Sequence, residues 1–222
     1  MRIFLVRHGE SESNVDRSVH KVKADHAIGL SEKGKEQARQ AGKVISENIS
    51  AINKRVLIMG MERGRISLRL WVSPYRRTRE TADEIQQTVG NLIRDRKEHI
   101  LLCEQQFGLF DGIPTSELPK VFPQEHAYYD KCEKFGGRFW ARMPLGESRF
   151  DVATRVHQSF GTFHRDRDRH GINNIVVVCH GVTLRAFVMM WCHLTPEWFE
   201  KEPNPPNGAV RLIEDGYDKG YL

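Results

Sequence analysis

The sequence predicts a three-layer α/β/α sandwich with a mainly parallel central sheet. Two observations carry that expectation. Strand-like and helix-like stretches alternate along the chain, the order from which parallel sheets are built. Ile175 to Cys179 reads Ile-Val-Val-Val-Cys, apolar on both faces, as a strand covered by helices on both sides must be. No period of about 20 to 50 residues recurs and no low-complexity linker divides the chain. One domain over 1–222 is therefore expected, with an insertion or lid at about 105–146.

Taken in order, Ile3 to Val6 is a short apolar run suited to a buried strand. Ser31 can cap a helix reaching about Asn48, with Ala38, Ala41, Val44 and Ile45 turned inward. Val56 to Met59 could form a hairpin partner for a second strand at Leu68 to Val72. Pro74 opens a helix to about Val89, since proline fits the first helical turn. Ile100 to Leu102 is a short strand candidate. The next forty residues hold Pro114, Pro119, Pro123, Gly136, Gly137 and Pro144, around a helix at Gln124 to Lys134. From Ser148 to about Arg165 a helix should bury Phe150, Ala153, Val156, Phe160 and Phe163. After the Ile175 strand come a helix from Val182 to Trp191 and an edge strand at Val210 to Ile213.

Composition excludes several classes. Hydrophobic residues make up 39% and charged residues 28%, too apolar and too balanced in sign for a disordered chain. A domain of this length buries about 70% of its unfolded surface and needs no staples. Cys103, Cys132, Cys179 and Cys192 form no CxxC pair or zinc spacing, so they read as reduced, buried small hydrophobes of a cytoplasmic protein. The four-residue apolar run near the start is too short for a secretion signal, and no stretch nears the roughly 20 apolar residues of a membrane span. The net charge is +5, but the 34 basic residues are interleaved with 29 acidic ones, so neither nucleic acid nor membrane is expected as a partner.

Two strands end in histidine and glycine: Leu5-Val6-Arg7-His8-Gly9-Glu10 and Val177-Val178-Cys179-His180-Gly181. Ligands of open α/β sheets bind at the carboxyl ends of strands, so neighbouring strands would bring His8 and His180 together there. Gly9 and Gly181 permit a sharp turn and close approach of backbone to a ligand. A third strand-to-helix junction, Val72-Ser73-Pro74-Tyr75-Arg76-Arg77-Thr78-Arg79-Glu80-Thr81-Ala82, puts arginines at the same edge. One strand–His–Gly unit is a common chance match, and an arginine-rich first turn is commonly solvated surface. All three together are not commonplace.

Arg7-His8-Gly9-Glu10 after an N-terminal strand resembles the signature of the histidine phosphatase superfamily, which includes the cofactor-dependent phosphoglycerate mutases. The resemblance spans nearly the whole chain. It takes in Asn14, Leu30-Ser31-x-x-Gly34-x-x-Gln37-Ala38, Ser73-Pro74 with Arg77 and Thr81-Ala82, Glu104 with Gly108 and Gly112, Gly146-Glu147-Ser148 with Arg155, and His180-Gly181. Phe-Gly-Gly-Arg-Phe-Trp followed by Pro-Leu-Gly-Glu-Ser is similar to short, plant-type phosphoglycerate-mutase-like proteins.

The resemblance implies a phosphoglycerate mutase-like fold and phosphoryl transfer through a histidine. His8 would be the nucleophile, since neutral imidazole attacks phosphorus near neutral pH. Arg7 and Arg77 would clamp the equatorial oxygens in bidentate fashion, with His180 adding a further bond. Fixed positive charge of this kind does the work of a metal ion, so no metal and no other cofactor is expected. Glu104 would protonate the leaving oxygen and later activate water. Asn14 would contact the phosphate or cap the local turn, and Gly181 would admit the ligand to the helix start.

The leading expectation is a metal-independent phosphatase acting on a small phosphorylated substrate or a phosphoprotein. The alternative is a phosphoglycerate mutase. Against it stand the 76 residues from Glu104 to His180 and the nine after Ile213, both short for the glycolytic mutases. A catalytically idle ligand-binding relative usually lacks a core residue, and none is missing here. The other histidines show no metal-ligand spacing. His20, with Arg17, Lys21 and Lys23, reads as a solvated basic loop bordering the pocket. The aromatic residues of 105–146 read chiefly as packing for the insertion.

Overall fold

The computed structural model describes residues 1–58 and 67–222. Six strands form one sheet: β1 (Arg2–Arg7), β2 (Leu68–Val72), β3 (Ile93–Glu98), β4 (Asn174–Cys179), β5 (Val210–Glu214) and β6 (Tyr217–Tyr221). Their order is β3-β2-β4-β1-β5-β6. The first four are mutually parallel, and β5 and β6 run antiparallel at one side. The helices are α1 (Glu12–Val15), α2 (Glu32–Ile58), α3 (Arg76–Val89), α4 (Leu118–Val121), α5 (Pro123–Gly136), α6 (Arg149–His170), α7 (Gly181–Trp191) and α8 (Pro196–Lys201).

Period-two alternation divides the apolar strand residues between two cores. Phe4, Val6, Val176 and Val178 pack with Ala41, Ile45, Ile49, Ala82 and Ile85 of α2 and α3. Ile3, Leu5, Ile175, Val177 and Cys179 pack with Val156, Phe160, Phe163, Leu184 and Phe187 of α6 and α7. Helix layers on both faces of the sheet make the three-layer sandwich that the buried Ile175 run predicted. Between β3 and α6, a third and smaller core joins Phe110, Leu118, Tyr129 and Ala141.

Several boundaries differ from expectation. α2 continues ten residues beyond Asn48 because Ile49 and Ile52 prolong its apolar face. The backbone of 56–58 belongs to that helix, not to a hairpin strand, and Met59 lies outside the described residues. Ile100–Leu102 is a single 3₁₀ turn. The strand lies just before it, where Ile-Arg-Asp-Arg-Lys-Glu pairs on one side only and needs no apolar pattern. Val210–Glu214 is not an edge: β6 covers it through a turn at Asp215-Gly216, both with positive φ. α6 continues past Arg165 to His170, where Gly171 at φ 65° caps it. Phe150 is exposed; the other four predicted inward residues of α6 are buried. Of the four free cysteines only Cys179 is buried. Among the described residues no helix is long and apolar enough to cross a membrane.

Candidate active site

The sheet register assembles the site. β4 lies between β1 and β2, and Arg7 pairs with Cys179 across the β1–β4 ladder. The next residues, His8 and His180, therefore emerge side by side. Their ring centroids stand 5.3 Å apart at 65°. The ladders run one residue further: His8 N–H donates to Cys179 O at 3.0 Å and Ser73 N–H to Val178 O at 3.0 Å. Ser73, just after β2, then places its Oγ 2.8 Å from His180 Nε2. The Tyr75 ring meets His180 edge-on at 4.9 Å.

The turn after His8 needs glycine for space. A Cβ on Gly9 would lie 2.1 Å from Gly34 O, so the turn and the first turn of α2 touch backbone to backbone. Gly9 N–H donates to Thr81 Oγ1 of α3 at 3.1 Å, which fixes the turn from the other side. His8 Nδ1 is 2.7 Å from Gly9 O. A carbonyl only accepts, so Nδ1 carries the proton and Nε2 keeps its lone pair. Burial, then the charge of Arg77 and also that of Arg7, holds the His8 imidazole well below its ordinary pKa. Burial and Arg77 do the same to His180. Both rings are thus neutral at neutral pH. Among the described residues, His180 Nδ1 is buried with no hydrogen-bond partner.

Two guanidinium groups flank the rings. Arg7 Nη1 donates to Pro205 O, while its buried Nε has no partner among the described residues. Burial lowers the Arg7 pKa; the charge of Glu104 opposes that shift and Arg77 adds to it. Arg77 is 4% exposed, with its Cζ 4.9 Å from the centre of the Tyr75 ring. It is gripped by Asp25: Nη1 donates to Asp25 O at 2.7 Å and Oδ1 at 2.9 Å, and Nη2 to Oδ2 at 3.1 Å.

Glu104 projects to the start of α7. Its Oε1 accepts from Gln105 N–H at 3.0 Å, and the Val182 and Thr183 N–H groups approach the carboxylate at 3.4 Å. Arg155 fixes the backbone beneath it, donating to Leu101 O at 2.7 Å and Glu104 O at 3.0 Å while pairing with Glu147 at 2.7 Å. The Glu147–Arg155 motif is therefore a brace for the segment that carries Glu104. Asn14 Oδ1 accepts from Ser11 N–H at 3.1 Å and Asn207 Nδ2 at 3.0 Å, so its oxygen is spent on the local turn. Gly181 makes room for the chain itself: a Cβ there would lie 2.2 Å from Asn204 Oδ1.

Arg7, His8, Asn14, Asp25, Arg77 and Glu104 all line one cleft of about 800 Å³. His180 stands behind them with no exposed surface. Phe107, Phe110, Tyr129, Arg138 and Met143 of the 105–146 segment line the same cleft, as do the buried Arg149 and Arg185. Among the described residues no cluster of His, Cys, Asp or Glu could hold a metal ion.

Five contributors from three places escape the sequence reading. Asp25 gave no local signal, because its partner lies fifty-two residues away. Ser73 was seen as part of a motif but not as the partner of His180. Asn204, Pro205 and Asn207 come from the loop before β5, which returns beside β1; Asn207 Nδ2 also donates to His8 O at 3.2 Å. The Asn-Pro-Pro-Asn-Gly stretch marked that loop as a turn, but nothing in it named its neighbour.

Two proteins of Arabidopsis thaliana, phosphoglycerate mutase-like proteins AT74 and AT74H, are each 35% identical over 99% of this chain. The chain spans 66% of the first relative's length and 76% of the second's. The broad-range acid phosphatase DET1 of Saccharomyces cerevisiae is 26% identical over 96% of this chain and 84% of its own. Among solved structures, mycobacterial glucosyl-3-phosphoglycerate phosphatase with VO3 superposes with a TM-score of 0.69 at 21% identity, over 96% of this chain and 92% of that one. YhfR of Bacillus stearothermophilus gives 0.67 at 21%, over 99% and 94%. These two likenesses confirm the fold. Residues 3–221 match the sequence profile of the histidine phosphatase superfamily (branch 1), and the chain belongs to that family.

Proposed function

We propose that the chain is a metal-independent phosphatase that hydrolyses a phosphomonoester through a phosphohistidine on His8. The observation that carries this reading is the state of the His8 ring. Its Nδ1 proton is committed to Gly9 O, its pKa is depressed by burial and Arg77, and it lines the cleft. A nucleophile that stays unprotonated without an added base is what attack on phosphorus requires.

In the proposed reaction the Nε2 lone pair attacks phosphorus and the P–O bond to the alcohol breaks. Glu104, in its acid form, delivers its proton to the departing oxygen. Water then attacks the phosphohistidine, Glu104 takes a proton from it, and the N–P bond electrons return to Nε2. Arg7, through its unspent Nε, and Arg77 bear the charge on the equatorial oxygens. With Ser73 donating to His180 Nε2, the Nδ1 of His180 carries a proton and is a spare donor for the same group. The 105–146 segment, which contributes one wall of the cleft, would act as a lid that selects the alcohol. Names of similar proteins, acid phosphatase and glucosyl-3-phosphoglycerate phosphatase, support hydrolysis. The substrate would be a small phosphorylated molecule or a phosphoprotein.

The test is a panel of phosphomonoesters assayed in excess chelator with wild type and His8→Ala. Turnover should survive the chelator and be lost, by about 10³-fold or more, in the variant. Turnover retained by His8→Ala would remove His8 as nucleophile, and loss with chelator would remove metal independence.

A further inference from the structure

We propose that Asp25 is a built-in competitor for inorganic phosphate: its carboxylate occupies the guanidinium face of Arg77 and weakens the hold of the site on its product. This inference rests on the reading above, in which Arg77 grips the phosphoryl group.

The geometry is that of a bound oxyanion. The two carboxylate oxygens of Asp25 meet Nη1 and Nη2 of Arg77 at 2.9 and 3.1 Å, the parallel fork that guanidinium offers a phosphate. Arg77 is nearly fully buried, whereas the Asp25 side chain is 25% exposed and lines the cleft. The carboxylate thus approaches from the open side, where substrate must also enter.

The loop that brings Asp25 is preformed. Asp25 begins a 3₁₀ turn, Asp25–Ala27, followed by the fully buried Ile28. Leu30 N–H donates to Glu80 Oε2 of α3 at 2.6 Å, and Leu30 bridges to Ser11. The helix that supplies Arg77 therefore also anchors the loop that covers it. The charge of Asp25 reaches further into the cleft: Asp111, which also lines it, is pushed above the ordinary carboxylate range by burial and by Asp25.

Whether the carboxylate moves aside for phosphate or stays beside it, the effect has one sign. Displacement costs the Asp25–Arg77 pair, and retention sets two anions together. For a hydrolase this favours turnover, since inorganic phosphate is the last product to leave the cationic cup. Neutralising Asp25 should therefore tighten product binding.

An alternative role gives the opposite sign. If Asp25 only orients Arg77, losing it would let the guanidinium stray and would weaken phosphate binding. The experiment measures inhibition by inorganic phosphate, and its binding by calorimetry, for wild type, Asp25→Asn, Asp25→Ala and Arg77→Gln. Both Asp25 variants leave the Asp25 carbonyl in place for Nη1. The expected result is tighter phosphate binding by about tenfold in both, an interaction equivalent to about one pKa unit. Arg77→Gln should weaken it. Unchanged or weaker binding in the Asp25 variants, with Arg77→Gln still weakened, overturns the competitor role alone. Unchanged binding in Arg77→Gln overturns the assignment of Arg77 to phosphate, and the competitor role with it.

Discussion

Two arginines on the same sheet, Arg69 buried and Arg7 part-buried at the cleft, are built in opposite ways. Arg69, on β2, is enclosed by carboxylates: Nε and Nη2 bond Asp95 at 2.6 and 2.7 Å, and Nη1 bonds Asp166, whose other oxygen accepts from Trp71 Nε1 at 2.8 Å. Its pKa is raised, first by the bonds to Asp95. Arg7, at the end of β1, has one neutral carbonyl partner, an unspent Nε and a pKa lowered by burial. Arg69 is a satisfied group that fastens β2, β3 and α6 together. Arg7 keeps a buried, unpartnered Nε and has no ion-paired hydrogen bond among the described residues, a polar group whose burial is costly until a ligand bonds it. The contrast separates a satisfied guanidinium from one with bonding capacity to spare, without reference to any relative.

That contrast can be broken by exchanging the roles. Arg7→Gln should lower kcat/KM by about 10² to 10³-fold, the scale of losing one preorganised donor to the transferring group, with little change in melting temperature. A large fall in melting temperature would make Arg7 structural as well. Arg69→Gln should do the reverse. It strands the buried Asp166 and should cost about 3 kcal/mol in denaturant unfolding, with kcat per folded molecule nearly unchanged. A matching loss of kcat would show that the two centres are coupled through β2.

The smallest expected effect sharpens the comparison through pH. His8 and His180 are both held neutral by burial and by Arg77, the cation gripped by Asp25. Their pKa values are depressed in the folded chain, so above about pH 6.5 both states are neutral and no linkage exists. Below that value the unfolded chain takes up protons that the folded chain refuses, and stability must fall as the pH drops. Thermal melts from pH 7 downward should show this acid loss, reduced in His180→Asn. An identical acid limb in that variant would show that His180 does not resist protonation.

How much of this could be read from residues alone depends on how far each interaction reaches. β1 and β4 were legible because burial on both faces forces uninterrupted apolar runs, and each run ends in a histidine whose neighbour is glycine. β3 was hidden because a strand paired on one side tolerates Arg, Asp and Lys. β6 had a usable signal in Asp215-Gly216, a pair suited to the positive φ of a tight hairpin. Within the site, His8, Arg77 and His180 lie in local motifs at strand-to-helix junctions, whereas Glu104, six residues past β3, was carried by the family resemblance. Asp25, Asn204 and Asn207 lie in no such motif, since their partners are set by how loops return across the sheet edge. Gly181 was expected to clear space for a ligand, but the space is taken by Asn204.

The contact of Gly9 with Gly34 has a mechanical meaning. Where side chains sit between backbones, they absorb small displacements by adjusting their rotamers. Here peptide abuts peptide, and no such cushion exists. The 27-residue helix α2 is consequently keyed to the turn after His8 like a rod seated in a notch. The aim of the imidazole inherits its tolerance from that seating, and a methyl group on either glycine would act as a wedge.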